Sequence, residues 1–138
     1  MKSSVTVDAS VFVNAFSPDE TGSDLSLGFI ERLRNDGAAF IQPTLFFPEV
    51  IASIARKQDD TEIALELAKE LKKLPNLTII DLDATLADLA VEVAAKHRLR
   101  GSDSIYAAVA LRFGTELITL DKEQLARLPK ILPARKPA

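Results

Sequence analysis

The chain contains no cysteine, no tryptophan and a single histidine. Without cysteine there is no disulfide framework and no thiolate metal site. One histidine leaves no imidazole pair for a zinc centre, and none for metal-free acid–base cleavage of RNA. Long hydrophobic runs are lacking too. Every apolar stretch is broken by Pro, Asp or Glu far short of the length that spans a bilayer. MKSSVTVDA holds no apolar segment of signal-peptide length. The expectation is a soluble cytoplasmic protein with no membrane partner. A strong charge of either sign is also missing. The net charge of −3 does not announce a nucleic-acid binder. It does not exclude one, because setting aside four acids discussed below turns the balance slightly positive.

What remains is sufficient for a core. With 47% hydrophobic residues in 138, the chain reads as one globular domain over residues 1–138. Strand-like and helix-like segments alternate. SVTVDA alternates β-branched residues and ends at Asp8. Ser10 is a candidate cap for a short helix through VFVNAF, and SPDETGSD is a loop. Ser23 or Asp24 would cap LSLGFIERLRND, with Gly37 as its stop. AAFIQ is a short buried strand stopped by Pro43. Thr44 would cap LFFPEVIASIARK, where Pro48 is tolerable only in the first turn. Thr61 would cap EIALELAKELKKL, whose Ile63, Leu67, Leu71 and Leu74 follow helical spacing. LTIIDL is a third strand. Asp83 starts a helix to about His97, and Gly101–Ser102 open the next, which Gly114 ends. ELITL is a fourth strand and DKEQLARL a last short helix. Residues 129–138, rich in Pro, Lys and Arg, are expected to run over the surface. This order predicts an α/β fold: a single-domain α/β/α sandwich around a mainly parallel sheet.

Four acids sit where strands end or helices begin: Asp8, Glu49, Asp103 and Asp121. Ligands of open α/β sheets bind at the carboxyl ends of the strands. Four acids gathered there would repel one another unless a cation neutralised them, and hard oxygen donors suit Mg²⁺ or Mn²⁺. Each acid also has an ordinary explanation. Asp8 and Asp121 could simply cap the helices that follow. Asp103 could be a first-turn acid favoured by the helix dipole. Glu49 could belong to a polar stripe with Ser53 and Arg56, which share its helical face. Tyr106 lies one turn beyond Asp103, as core packing or as a substrate contact. Thr119 could orient Asp121. The run AAKHRLRG, with His97, Arg98 and Arg100, is a solvated helix end or an RNA-phosphate contact.

The conjunction carries more than any one acid. DASVFVNAF, the Pro-x-x-x-x-x-Glu-Val helix, GSDSIYAAVA and LITLD occur in an order that resembles the PIN domain family. Within it the chain looks most like the VapC-like toxin ribonucleases of type II toxin–antitoxin modules, from about Val5 to Leu125. The resemblance implies a metal-dependent endoribonuclease with Asp8, Glu49, Asp103 and Asp121 as the catalytic and metal-binding acids. It implies Mg²⁺ or Mn²⁺ as cofactor, with Ser10 and Thr119 as supporting hydroxyls. Arg56, Arg98, Arg100 and Lys122 are candidate RNA contacts. Activated water attacking phosphorus would leave 5′-phosphate and 3′-hydroxyl ends, in a single-stranded loop of RNA. The implied partners are RNA, a cognate antitoxin with a basic side chain for the acids, and a second copy of the chain. Phe12, Phe16, Leu25, Leu27 and Phe29 offer apolar surface for these. Two other classes stay open: an aspartate-based phosphohydrolase or phosphoacceptor domain, and a non-catalytic interaction module. The first lacks a second acid in Asp8-Ala9-Ser10, although Asp81 and Asp83 follow a strand.

Overall fold

The computed structural model describes residues 3–138. Five strands form one wholly parallel sheet: β1 (Ser4–Val7), β2 (Ala39–Pro43), β3 (Leu77–Ile80), β4 (Glu116–Ile118) and β5 (Ala134–Arg135), in the spatial order β3-β2-β1-β4-β5. Seven helices join them: α1 (Ala9–Ala15), α2 (Ser23–Asn35), α3 (Phe46–Gln58), α4 (Thr61–Lys72), α5 (Ala84–His97), α6 (Gly101–Phe113) and α7 (Lys122–Arg127). Successive residues of a strand point to opposite faces. In β1, Val5, Thr6 and Val7 are all buried, so helices cover both faces of the sheet. α6 packs across β2, β1 and β4 with α5 against it, while α1 packs on α2 and α3, and α3 on α4. Phe12, Phe40 and Phe46 anchor the main core, and Leu86, Ala90, Ala108 and Val109 form a second cluster between α5 and α6. The α/β/α architecture expected from the sequence is the one observed.

Several expected caps fall elsewhere. Asp8, not Ser10, caps α1, and Asp60, not Thr61, caps α4. In each case an aspartate stands one or two residues before the hydroxyl residue, and its carboxylate reaches the free amides of the first turn. Gly22 precedes α2 at φ 85°, a conformation unfavourable for Ser23 or Asp24. Thr44 lies outside α3 and instead donates to Ile80 O at 3.1 Å, tying the end of β2 to the end of β3. Pro48 is the third residue of α3, within the first turn, as its ring requires.

Two larger corrections concern surfaces. Residues 129–138 are not merely draped over the outside. Leu132 is buried, and β5 pairs with β4 through Leu117 N to Pro133 O (2.8 Å) and Thr119 N to Arg135 O (3.0 Å). Without β5, β4 would be an open edge. Phe12 and Phe29 are core residues, so they offer no surface to a partner; Leu25 is exposed, and Phe16 and Leu27 lie at the boundary.

One buried side chain completes the sheet. Backbone pairing between β1 and β2 is registered through Val5 and Phe40. Further along, the Gln42 amide takes over: Val7 N donates to its Oε1 (2.7 Å) and its Nε2 donates to Val7 O (2.8 Å). A side-chain amide thus stands in for a peptide group immediately before Asp8.

Candidate active site

The chain builds the sheet outward from β1 in two directions, through β2 and β3 on one side and β4 and β5 on the other. The crevice at such a reversal, beyond the carboxyl ends of β1 and β4, is the usual ligand site of an open α/β sheet. Here it is a cavity of about 440 Å³ whose walls include Asp8, Glu49, Asp103 and Asp121, together with Ser10, Asn14, Ser53 and Arg100.

Asp8 is fixed from several directions. Its backbone N donates to Ile118 O at 2.8 Å, and Gln42 holds the preceding residue. Its Oδ2 accepts from Ser10 N (3.2 Å) and from Thr119 Oγ1 (3.3 Å). Thr119 Oγ1 also accepts from Asp121 N at 3.0 Å, so one hydroxyl links the acids of β1 and β4. Ser10 Oγ accepts from Leu120 N at 3.1 Å and pins the same loop. Asp121 caps α7 through Oδ1, accepting from Gln124 N at 3.0 Å, while its Oδ2 faces the pocket. Capping and pocket lining are therefore not rivals for Asp8 and Asp121: one oxygen serves the helix and the carboxylate still borders the cavity. Asp103 lies in the first turn of α6, as its ordinary explanation expected, and borders the cavity as well.

The acids feel one another. Burial pushes the Glu49 carboxyl above its usual range, and the charges of Asp8 and Asp103 push it further up. Asp103 is raised as well, by burial first. Its bond to Arg100 opposes that rise, and the charges of Asp8 and Asp121 add to it. Arg100 lies across two of the acids: Nε donates to Asp103 Oδ2 at 2.9 Å and a terminal nitrogen donates to Asp121 Oδ2 at 2.6 Å.

The donor set fits a hard divalent cation. All four candidate ligands are carboxylates, and Glu49 Oε1 is buried with no hydrogen-bond partner. Among the described residues, no three acids stand close enough to grip a single ion as they are arranged. Arg100 occupies the space between two of them.

Of the candidate RNA contacts, only Arg100 borders the cavity. Arg56 and Lys122 are exposed outside its walls, and Arg98 ends α5 with its side chain turned back toward Ala95 O. Asp83 caps α5 and Asp81 accepts from Thr44, so neither joins the pocket. Three polar lining residues, Asn14, Glu20 and Lys57, escaped the sequence reading. Asn14 is buried and binds Thr21 O (3.0 Å) and Ser26 Oγ (2.7 Å), bracing the loop that carries Glu20. Glu20 in turn pairs with Lys57. The signal available was Asn14 itself, a lone amide in the apolar run VFVNAF. Beside the acidic cavity runs an apolar groove between Phe16, Pro18, Ile54, Ile63 and Leu67; Glu20 and Lys57 border both.

The PIN domain family model matches residues 5–131, and the chain belongs to that family. No curated protein matches it by sequence. Among solved structures, it is similar to the VapBC2 complex of Rickettsia felis bound to a promoter DNA fragment. That likeness has a TM-score of 0.73 at 14% identity, over 96% of this chain and 98% of that one. It is also similar to VapC20 of Mycobacterium tuberculosis, a sarcin–ricin loop cleaving toxin, with a TM-score of 0.72 at 16% identity, over 88% and 93%. A toxin–antitoxin complex from Klebsiella pneumoniae gives 0.64 at 20% identity, over 91% and 92%. At these identities the likeness establishes the fold.

Proposed function

We propose that this PIN domain is a metal-dependent endoribonuclease, the toxin of a toxin–antitoxin pair, acting as a single domain over residues 1–138. The observation that carries this is the convergence of four carboxylates from four separate segments on one cavity at the sheet's switch point. The family membership and the named toxins of the same fold point the same way. Asp8, Glu49, Asp103 and Asp121 would hold Mg²⁺ or Mn²⁺. When bound, such a cation lowers the pKa of water and offsets charge on a phosphate oxygen. Thr119 and Ser10 keep Asp8 turned toward the cavity. Glu49, whose Oε1 is buried without a partner, is a carboxylate that could accept a proton from an attacking water. RNA phosphate approaches past Arg100 at the pocket mouth.

The antitoxin would lie in the apolar groove beside Phe16, Ile54 and Leu67. An extended segment leaving that groove passes Glu20 and Lys57 and enters the acidic cavity, where a basic side chain would pair with the carboxylates. Leu82, Val91 and Phe113, exposed on or beside α5 and α6, are available to a second copy of the chain. No helix among the described residues is long and apolar enough to cross a membrane.

The test is cleavage of a fluorogenic single-stranded RNA by purified protein with Mg²⁺ or Mn²⁺. Activity should vanish in EDTA and in Asp103→Asn, and return on adding Mn²⁺ to the chelated wild type. Undiminished cleavage in EDTA would sink the metal mechanism. A phosphate monoester tested in parallel separates this reading from a phosphohydrolase.

A further inference from the structure

The pocket carries its own cation. Among the charged groups that line it, Lys57 is paired with Glu20, whereas Arg100 is hydrogen-bonded to two of the candidate metal ligands at once, Asp103 and Asp121. The two acids are nearly enclosed, with side chains 8% and 18% exposed, while that of Arg100 is 68% exposed. The guanidinium therefore covers the mouth of the cavity with its outer side in water. Its planar fork suits two carboxylates in different positions, as a single ammonium does not. With so much of it exposed, the side chain can rotate into solvent without disturbing the core.

We propose that Arg100 is a built-in counter-ion that closes the acidic pocket and competes with the divalent cation for Asp103 and Asp121. This rests on the reading of the pocket as a cation site. In the metal-free protein Arg100 relieves the repulsion among the acids and keeps the site assembled. A cation entering the pocket must displace it. With the guanidinium largely in water, the pair is weak enough for that exchange, so Arg100 sets a threshold of cation concentration for occupancy without blocking it.

The full chain and its Arg100→Gln variant, titrated with Mn²⁺ by calorimetry, decide the matter. The variant should bind Mn²⁺ about 5–10-fold more tightly, the scale of one lost surface ion pair plus a removed positive charge nearby. It should also melt lower than wild type without metal and gain more from adding it. Arg100→Lys, which keeps the charge but not the fork, should fall between the two. Equal or weaker Mn²⁺ binding by Arg100→Gln would overturn the proposal alone. Binding by neither wild type nor variant would overturn the cation reading of the pocket, and this proposal with it.

Discussion

The Tyr106 hydroxyl and the Glu49 carboxylate perturb each other inside the core yet do not meet in hydrogen-bonding geometry. Tyr106 is completely buried, and both its hydroxyl and Glu49 Oε1 lack a partner. Burial first, then the charges of Glu49 and Asp8, drives the phenol's pKa far above its ordinary value, so it stays protonated at any working pH. A buried polar atom without a partner costs about 1–3 kcal/mol. Two of them side by side mark a place where stability has been given up next to the acids.

Tyr106→Phe removes one of those atoms and no bond. Its stability should therefore stay within about 1 kcal/mol of wild type or rise, measured by urea denaturation without metal. A loss of more than that would show that the hydroxyl makes a strong bond in solution.

Glu49 gives a pH signature. Its folded pKa is raised, so the folded protein binds a proton there more readily than the unfolded chain. The stability it contributes is full below the ordinary carboxylate value, about pH 4, and is lost as pH rises through the raised folded value. Metal-free Glu49→Gln should accordingly melt higher than wild type at pH 7, with the gap closing toward pH 4. Asp103→Asn should show the same sign with a smaller gain, because wild-type Asp103 is compensated by Arg100. A gap independent of pH would mean that the effect is packing and not charge.

Thr119 tests the positioning of the acids. Thr119→Val keeps the shape of a buried side chain but removes the hydroxyl that touches both Asp8 and Asp121 N. Loss of such a supporting bond should lower RNA cleavage or Mn²⁺ affinity about 10–100-fold while the fold persists. Unchanged activity and affinity would show that Asp8 needs no such support.

Gln42 tests the sheet. Gln42→Leu leaves Val7 N and Val7 O buried without partners. The expected loss is about 2–4 kcal/mol, read as a lowered denaturation midpoint. Because Val7 precedes Asp8, cleavage per folded molecule should fall too. A variant as stable as wild type would show that β1 and β2 close their ladder without the side chain.

The strand–helix alternation was legible because hydrophobic period and turn residues change together at each junction, as at Gly37, Pro43 and Gly114. The four acids were legible as a set because each sits where a strand ends or a helix begins, three of them directly following or interrupting an apolar run. Caps were less so. A hydroxyl and an aspartate one or two positions apart compete for the same amides, and at Asp8–Ser10 and Asp60–Thr61 the carboxylate wins. Gln42 and the bond from Arg100 to Asp121 depend on which other segment lies opposite, and local pattern carries no such information. β5 was hidden because two residues are too few for a period, although Ile131 and Leu132 marked the segment as partly buried.

The hydrogen bond from Thr119 to Asp8 joins positions 111 residues apart. β1 sits at the centre of the sheet and must wait for β4, which comes far later in the chain, to occupy its second edge. Contacts so distant in sequence form slowly. A chain still under synthesis therefore owns Asp8 and Glu49 but not the wall that Asp103 and Asp121 provide. An activity that needs all four cannot begin on a chain that still lacks β4. It starts only after β4 docks, a delay in which a partner already present can reach the groove first.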